Sequence, residues 1–440
     1  VSGRTAVVLF TRDLRVHDHP ALATSCAAFD RVVPLYVLDP ALAPLSPNRT
    51  RFLHQSLAVL RQALRGLGGD LVVRQGDPVV ETIRLAGEVG AEGVALSADV
   101  SRHAERRARR LRTECERHRL HLRFFPGLTV VEPGALQPGG GDHYRVFSPY
   151  HRAWSGQRWR DELAPPARVV LPAGVAVGRL PALPAGDSPD VVTGGEDEAR
   201  RRLTRWLPVV AGYDDRHDDL AGDGTSRLSS YLRFGCVSPL TVVNRVGDRD
   251  SPFVRQVCWR DFYHQVTAAF PDISRTAYRR RAEEHWRYDD DALTAWSQGR
   301  TGLPVVDAGM RQLRAQGWLH NRARLITAGY LTKTLGLDWR NGLAVYFRWL
   351  LDGDVANNSG NWQWVAGTGN DTKPYRGFNP VRQAERYDPD GAYVRRWVPE
   401  LASVAGKAVH QPWRLPDALR GTLDYPPPLE MPGPPPVWLR

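Results

Sequence analysis

Ala6-Val-Val-Leu-Phe-Thr-Arg-Asp-Leu-Arg15 runs five apolar residues straight into a polar, charged segment. A strand with one wet face alternates apolar and polar side chains, whereas an unbroken apolar run belongs to a strand covered on both faces. Such runs recur at Val32–Leu38, Leu71–Val73 and Val94–Leu96, with helical segments between them. Leu53, Leu57, Leu60, Leu64 and Leu67 form a helical stripe ended by Gly68-Gly69, and Arg102–Arg112 reads as a second helix with a solvated face. Residues 1–125 are therefore expected to form an α/β domain on a parallel, doubly wound sheet. No G-x-G-x-x-G follows the first strand, so nicotinamide binding there is unsupported. Ligands of open α/β sheets sit beyond the carboxyl ends of the strands, marked here by Thr11–Arg15, Asp39-Pro40 and Ser97–Asp99.

At 440 residues, 42% hydrophobic and 24% charged, the chain suits two or three globular domains that need no disulfide or metal staple. No apolar run approaches the ~18 residues of a membrane-spanning helix, and the amino terminus lacks the pattern of a signal peptide. Cys26, Cys115, Cys236 and Cys258 lie far apart with no CxxC pair. Neither a disulfide scaffold nor a metal site is expected, and the reading is a reduced, cytoplasmic protein. Net charge is +11 and the isoelectric point about 9.8, a balance that suits a polyanion such as nucleic acid. All but Lys333, Lys373 and Lys407 of the 59 basic residues are arginine, and isoleucine occurs only at 83, 273 and 326. That bias marks a high-GC genome, so codon usage explains part of the arginine excess. Eleven of the fourteen tryptophans lie in the second half, where indole serves packing, base stacking and electron transfer alike.

Residues 126–195 have poor periodicity, with Pro133-Gly134, Pro138–Gly141 and a Pro/Ala/Gly-rich stretch from Pro165 to Pro189. They read as an interdomain connector, with an aromatic, ordered-looking island at Tyr144-Arg-Val-Phe-Ser-Pro-Tyr-His-Arg-Ala-Trp154. Residues 196–420 read as a helical domain, with 3.6-type spacing over Glu198–Trp206, Pro239–Arg245, Phe253–Phe270, Val306–Ala315, Arg322–Leu335 and Gly342–Leu351. Residues 421–440, including Tyr425-Pro-Pro-Pro428, read as a proline-rich tail.

Three segments of the helical half carry chemistry. Gly222-Asp-Gly-Thr-Ser-Arg-Leu-Ser-Ser230 enters a helix with hydroxyls, backbone N–H groups and a guanidinium, a set that suits a diphosphate as well as a plain helix cap. Trp318-Leu-His-Asn-Arg-Ala-Arg324 puts amide and guanidinium donors at helical spacing. Asp352-Gly-Asp-Val-Ala-Asn-Asn-Ser-Gly-Asn-Trp-Gln-Trp364 gathers acids, amides and indoles that are costly to bury without partners. A metal would use the two aspartates, yet no third ligand stands at a recognisable spacing. A large polar ring cofactor fits better.

Together with Trp259-Arg-Asp-Phe-Tyr263 and Thr301-Gly-Leu-Pro-Val-Val-Asp-Ala-Gly-Met-Arg311, these motifs closely resemble the DNA photolyase/cryptochrome family. The likeness runs from Phe10–Arg15 through Phe378-Asn-Pro380 to Trp397–Leu401 and is greatest to class I cyclobutane pyrimidine dimer photolyases. It implies an α/β antenna domain joined to an all-helical carboxyl-terminal domain that binds FAD, active as FADH⁻. By position in the motifs, Tyr213, Thr225, Ser226, Arg227, Leu228, Ser229, Gln256, Arg260, Asn321, Arg324, Asp352, Asp354 and Asn358 would line the flavin. Arg324 and Asp352 would pair beside its ring, and Asn358 would face N5. Gln256, Trp259, Asn321, Arg322, Leu325 and Trp364 would meet DNA, with Trp259 and Trp364 as indole walls around a flipped-out dimer. Extrusion is cheapest for a lesion that already stacks and pairs poorly. The implied reaction is light-driven: an electron passes from excited FADH⁻ to the dimer, the cyclobutane ring splits, and the electron returns. Trp362, Trp339 and Trp286, 23 and 53 residues apart in turn, match the family's photoreduction chain.

Three positions depart from the family's pattern. Gln256 stands where a glutamate usually contacts the dimer, and an amide donates a hydrogen bond but no proton. Leu325 replaces a methionine, losing a polarizable sulfur, and His217, beside Arg216, replaces an arginine for DNA phosphate. In the amino-terminal domain Val100-Ser-Arg102 occupies the place of the Asn-Glu pair of folate-binding relatives. Arg12, Asp39 and Asp99 therefore resemble a pocket for 8-hydroxy-5-deazaflavin rather than methenyltetrahydrofolate, with a second flavin or no antenna as further readings. Rival functions are a cryptochrome-like photoreceptor and a (6-4) photolyase. The neutral amide of Asn358 and the short tail oppose the first. Asn321, where (6-4) enzymes carry a second histidine, opposes the second, which Gln256 favours. The expected partner is DNA containing pyrimidine dimers, met by a monomer without membrane attachment, on the nucleoid of a bacterial cytoplasm.

Overall fold

Val7, at the heart of the first apolar run, lies between Val33 on one neighbouring strand and Val94 on the other. The computed structural model describes residues 3–42, 46–222, 224–279, 285–370 and 377–433. Its five-stranded parallel sheet comprises β1 Thr5–Phe10, β2 Arg31–Leu38, β3 Val72–Gln75, β4 Gly93–Ser97 and β5 His121–Phe125, in the order β3-β2-β1-β4-β5. Helices α1 Pro20–Ala28, α2 Pro47–Gly66, α3 Pro78–Glu88 and α4 Arg102–Arg117 link successive strands. Ser46, Asp77 and Ser101 start the last three by accepting backbone N–H groups of the first turn. The sequence hides β5: His121 and Arg123 interrupt its apolar run, because this edge strand leaves both side chains in water. The strand order reverses between β1 and β4, where a crevice opens at the carboxyl ends.

The chain forms two compact units, one of residues 1–186, 192–211 and 226–271, the other of 187–191, 212–225 and 272–440. Besides the sheet, the first holds α5 Phe147–Gly156, α6 Glu196–Trp206, α7 Ser229–Phe234, α8 Pro239–Val246 and α9 Pro252–Ala269. Buried carboxylates stitch it together. Asp261 of α9 accepts from Trp154 Nε1 at 2.9 Å, Val130 N at 2.8 Å and Val131 N at 3.0 Å. Asp18 holds Arg160 at 2.5 and 2.6 Å and also Ser238. Glu196 accepts from the backbone of Val16 and His17. Much of the stretch with poor periodicity is thus fastened to this unit by polar contacts, which leave no hydrophobic period to read.

The second unit holds α10 Asp290–Gln298, α11 Pro304–Gln316, α12 Asn321–Gly329, α13 Trp339–Trp349, α14 Val355–Ala366, α15 Pro380–Tyr387 and α16 Ala392–Trp397. The expected helix Arg322–Leu335 ends at Gly329 and widens into a π turn over Tyr330–Thr334. Trp296, Leu313, Leu319, Ile326, Trp339, Tyr346 and Val365 are among its core. Asp307 is a knot: it accepts from Thr301 N and Oγ1 at 2.7 Å each, Gly302 N at 3.0 Å and Tyr425 OH at 2.5 Å. Gly302 takes φ +76°, and a Cβ there would lie 2.2 Å from Pro427 O. The proline-rich end is therefore a strap as far as Glu430, with Leu429 N on Thr301 O at 2.8 Å and Glu430 on Arg287 at 2.9 Å. Residues 434–440 of that segment lie outside the described residues. Among the described residues no helix is long and apolar enough to cross a membrane.

Candidate active site

Asp354 caps α14, accepting from Asn357 N at 2.9 Å, and so fixes the rotation of the helix. Asn358 and Trp362, four residues apart, then share a face. Asp352 lies just before the cap, 9% exposed, and one of its oxygens receives Arg324 Nη2 at 2.8 Å. Arg324 also donates from Nε to Leu319 O at 2.9 Å, which holds the guanidinium plane. The second carboxylate oxygen of Asp352 is buried without a protein partner, and so is Nδ2 of Asn358. Each such group costs about 1–3 kcal/mol if nothing meets it. A buried spare acceptor and a buried spare donor call for a flat ligand with N–H and C=O or ring nitrogen on its edge. These residues fit the flavin ring of FAD. Asp354 spends its Oδ1 on the cap and on Asn357 Nδ2.

Tyr213 opens a single helical turn, stacks on His217 with centroids 4.9 Å apart, and has its hydroxyl pKa pushed up by burial. Thr225 Oγ1 and, at the start of α7, Ser229 Oγ are each buried without a protein partner. Between them Ser226 Oγ accepts from Leu228 N at 3.3 Å, and Arg227 takes φ +50°, a conformation that non-glycine residues seldom adopt. Hydroxyls held unpaired beside a strained turn suit phosphate oxygens. Asp223 of the same stretch lies outside the described residues.

On α9, Arg260 is buried and donates to Leu128 O, while Gln256 is exposed. Trp259 is half-buried: one face stacks on Phe147 at 3.7 Å and 5°, and Phe262 meets it edge-on at 5.5 Å. Tyr263 lies 5.7 Å from it, tilted by 33°. In the second unit Asn321 is exposed at the start of α12, Leu325 is half-buried against the core, and Trp364 lies 6.0 Å from Phe378. Arg322 is forked onto Asp218, with Nε 3.1 Å from Oδ1 and Nη2 on Oδ2, and lies 4.3 Å over the Tyr387 ring. Trp339 and Trp362 are fully buried, and Trp286 packs half-buried on the same core. Trp362 meets Tyr346 edge-on at 4.9 Å.

At the carboxyl ends of β1 and β4, Arg12 Nη1 lies 3.4 Å from Asp99 Oδ1, and Asp39 lies 3.9 Å from His103 Nε2. Sequence reasoning missed His103, Arg107 and Tyr36. Arg107 has its pKa lowered by burial, against the pull of Asp99 and Asp13, and its Nε has no protein partner. Burial pushes Tyr36 up to about 12. Nothing in Glu105–Arg110 marks Arg107 among its neighbours, since the face that turns inward depends on packing rather than on local charge. A nearby cavity is lined by Asp99, Thr129, Glu132, His264 and Ala268. Burial raises Glu132 to about 7, although Thr129 Oγ1 donates to it at 3.1 Å. Among the described residues no group of three or more His, Cys, Asp or Glu side chains is arranged to hold a metal ion.

Residues 6–169 match the family described as DNA photolyase, and residues 253–430 the FAD binding domain of DNA photolyase. A deoxyribodipyrimidine photo-lyase of Streptomyces griseus is 48% identical over 436 residues, 96% of each chain. One from Escherichia coli is 35% identical, covering 97% of this chain and 95% of its own. A bacterial class III photolyase of Agrobacterium tumefaciens superposes with a TM-score of 0.92 at 34% identity, over 98% of this chain and 95% of that one. The chain belongs to the DNA photolyase family.

Proposed function

We propose that this protein is a deoxyribodipyrimidine photo-lyase, an enzyme that uses light to reverse cyclobutane pyrimidine dimers in DNA. The observation that carries the reading is the Arg324–Asp352 pair, with the spare acceptor of Asp352 and the spare donor of Asn358 buried and waiting for a flavin edge. Tyr213, Thr225, Ser226, Arg227, Leu228, Ser229, Gln256, Arg260, Asn321 and Asp354 complete the FAD-binding set. Bound and reduced, FAD supplies the excited electron that splits the cyclobutane ring. Asn358 is a neutral amide, so it accommodates a reduced, anionic ring without repelling it. Trp259, backed by Phe147, and Trp364 stack on the flipped-out bases, Leu325 fills volume beside them, and Gln256 donates a hydrogen bond to a dimer carbonyl. Arg322 holds a backbone phosphate and supplies the sequence-independent, salt-sensitive part of binding. Trp362, Trp339 and Trp286 would relay electrons from an external reductant toward the bound flavin. Arg12, Asp39 and Asp99 hold the antenna, for which the resemblance to deazaflavin-binding relatives favours 8-hydroxy-5-deazaflavin. The enzyme works as a monomer on DNA in the bacterial cytoplasm.

The test is illumination of the reduced, purified protein with a duplex carrying one thymine dimer, beside a matched (6-4) lesion. Light-dependent reversal of the dimer alone, lost in Trp364→Ala, is the expected result. Repair of the (6-4) lesion instead would favour the reading that Gln256 suggests. Repair of neither, with bound flavin that photoreduces, would leave a photoreceptor.

A further inference from the structure

Arg322 does not stand free at the surface. Asp218 takes the Nε and Nη2 hydrogens on one edge of its guanidinium, both side chains are mostly buried, and Tyr387 supports the plane at 4.3 Å. Leu220 N bonds to Tyr387 O at 3.0 Å, tying the aspartate's loop to the same support. His217 Nε2 lies 3.6 Å from Asp218 Oδ1, while its Nδ1 is within 3.0 Å of the carbonyls of Tyr213 and Asp214 and so donates to them. An arginine has two edges that can bind an oxyanion side by side, one through Nε and an Nη, the other through both Nη atoms. The carboxylate occupies the first and leaves the second.

We propose that Asp218 is a positioning residue that makes Arg322 a directional phosphate ligand and thereby sets the discrimination between lesion-bearing and undamaged DNA. The inference rests on the proposed contact of Arg322 with DNA. The pair has no net charge, so it adds little to the diffuse attraction that pulls any duplex onto a basic surface. Its contribution arrives only when a phosphate sits in the plane that Asp218 fixes, which requires the backbone geometry of the flipped-out lesion. Removing the carboxylate releases a mobile cation. Binding to any DNA then gains one phosphate-neutralising charge, and binding to the lesion loses a preset hydrogen-bond pair.

The experiment measures dark binding of the intact flavoprotein to a dimer-bearing duplex and to its undamaged twin between 50 and 200 mM salt, roughly the range over which phosphate contacts tell. Asp218→Asn is expected to bind undamaged DNA at least as tightly as the parent, with a log–log salt slope steeper by about 0.9. Its lesion selectivity falls about tenfold, the scale of one charge-assisted hydrogen bond. Asp218→Glu, which keeps the carboxylate, recovers most of the selectivity. Flavin absorbance and melting temperature identify variants that fail to fold, and a purely structural role would move those rather than the salt slope. Selectivity of Asp218→Asn within twofold of the parent, with Arg322→Ala weakened on both duplexes, overturns the positioning role alone. An Arg322→Ala variant unchanged on both duplexes removes the phosphate contact itself, and the proposal with it.

Discussion

Gly342 sits in α13, three residues after Trp339, and a Cβ placed on it would lie 2.1 Å from Trp362 Cη2, 2.6 Å from Cζ3 and 2.5 Å from Leu331 Cδ2. Real Cβ contacts never come so close, so Gly342→Ala must displace the indole or the helix. Two terms compete. Alanine in a helix interior gains up to about 1 kcal/mol over glycine, whereas overpacking a filled core costs about 1–3 kcal/mol. The indole is a large rigid body wedged against Tyr346 as well, so the upper part of that range applies and the net loss is about 1–2 kcal/mol. For a unit of this size that lowers the melting temperature by about 2–8 °C. Gly87, exposed near the end of α3 with nothing within 4 Å of its Cβ position, is the control: Gly87→Ala should be neutral or stabilising by less than about 1 kcal/mol. Thermal unfolding of both variants, followed by circular dichroism, decides it. Gly342→Ala melting at or above the parent temperature would refute the claim that Trp362 is positioned by close packing on α13.

Trp339→Phe should lose photoreduction while chemically reduced enzyme still repairs dimers; its stability should hardly change, because a cavity worth about 1 kcal/mol offsets removal of an unpaired buried N–H. Glu132→Gln tests the pH linkage. A carboxyl raised by burial to about 7 from an ordinary 4.5 stabilises the fold below the ordinary value, and that contribution is lost as pH rises through the window. The variant should therefore match the parent in melting temperature near pH 4.5 and exceed it at pH 8; equal curves at both would show that Glu132 ionises normally. Gln256→Glu puts a carboxyl at the proposed dimer contact and should raise the number of dimers split per absorbed photon in single-turnover flashes. Trp364→Ala should weaken binding to dimer-bearing DNA by about 5- to 150-fold, from about 1–3 kcal/mol of base stacking, with undamaged duplex little affected.

What could be read in the chain follows from how local each signal is. β1, β2 and β4 announce themselves because a strand covered on both faces must be apolar at every position. β5 does not, because an edge strand is released from that demand. The motif from Thr301 to Arg311 was visible as a pattern, but its purpose was not. Asp307 turns out to bind its own loop and Tyr425, more than a hundred residues on. Arg324 and Asp352 could be paired only by resemblance, since no helical spacing joins residues 28 apart. Phe147 behind Trp259 and Asp218 beside Arg322 escaped altogether. Both are second partners, chosen by packing across long sequence separations, and neither leaves a trace in local pattern.

Buried polar atoms without protein partners are where this sequence departs from the rules that otherwise govern its folding. Asp352 Oδ1, Asn358 Nδ2, Thr225 Oγ1, Ser229 Oγ and the indole N–H groups of Trp339 and Trp362 are all of this kind. Each carries a desolvation cost that no protein contact offsets, so stability does not explain them. Asp352 and Asn358 offer the complement of a ring edge, and Thr225 and Ser229 hydroxyls of the kind that meet phosphate oxygens, as the proposed FAD binding requires. The two indoles present no edge to a ligand pocket of their own and sit in the core beside Tyr346 and Gly342. What tryptophan offers there beyond phenylalanine is ease of oxidation, and an electron relay needs that in a dry, rigid place. On the proposed reading these residues sort into two jobs, holding a cofactor and feeding it electrons, and Trp362, on the same face of α14 as Asn358, is where the two would meet.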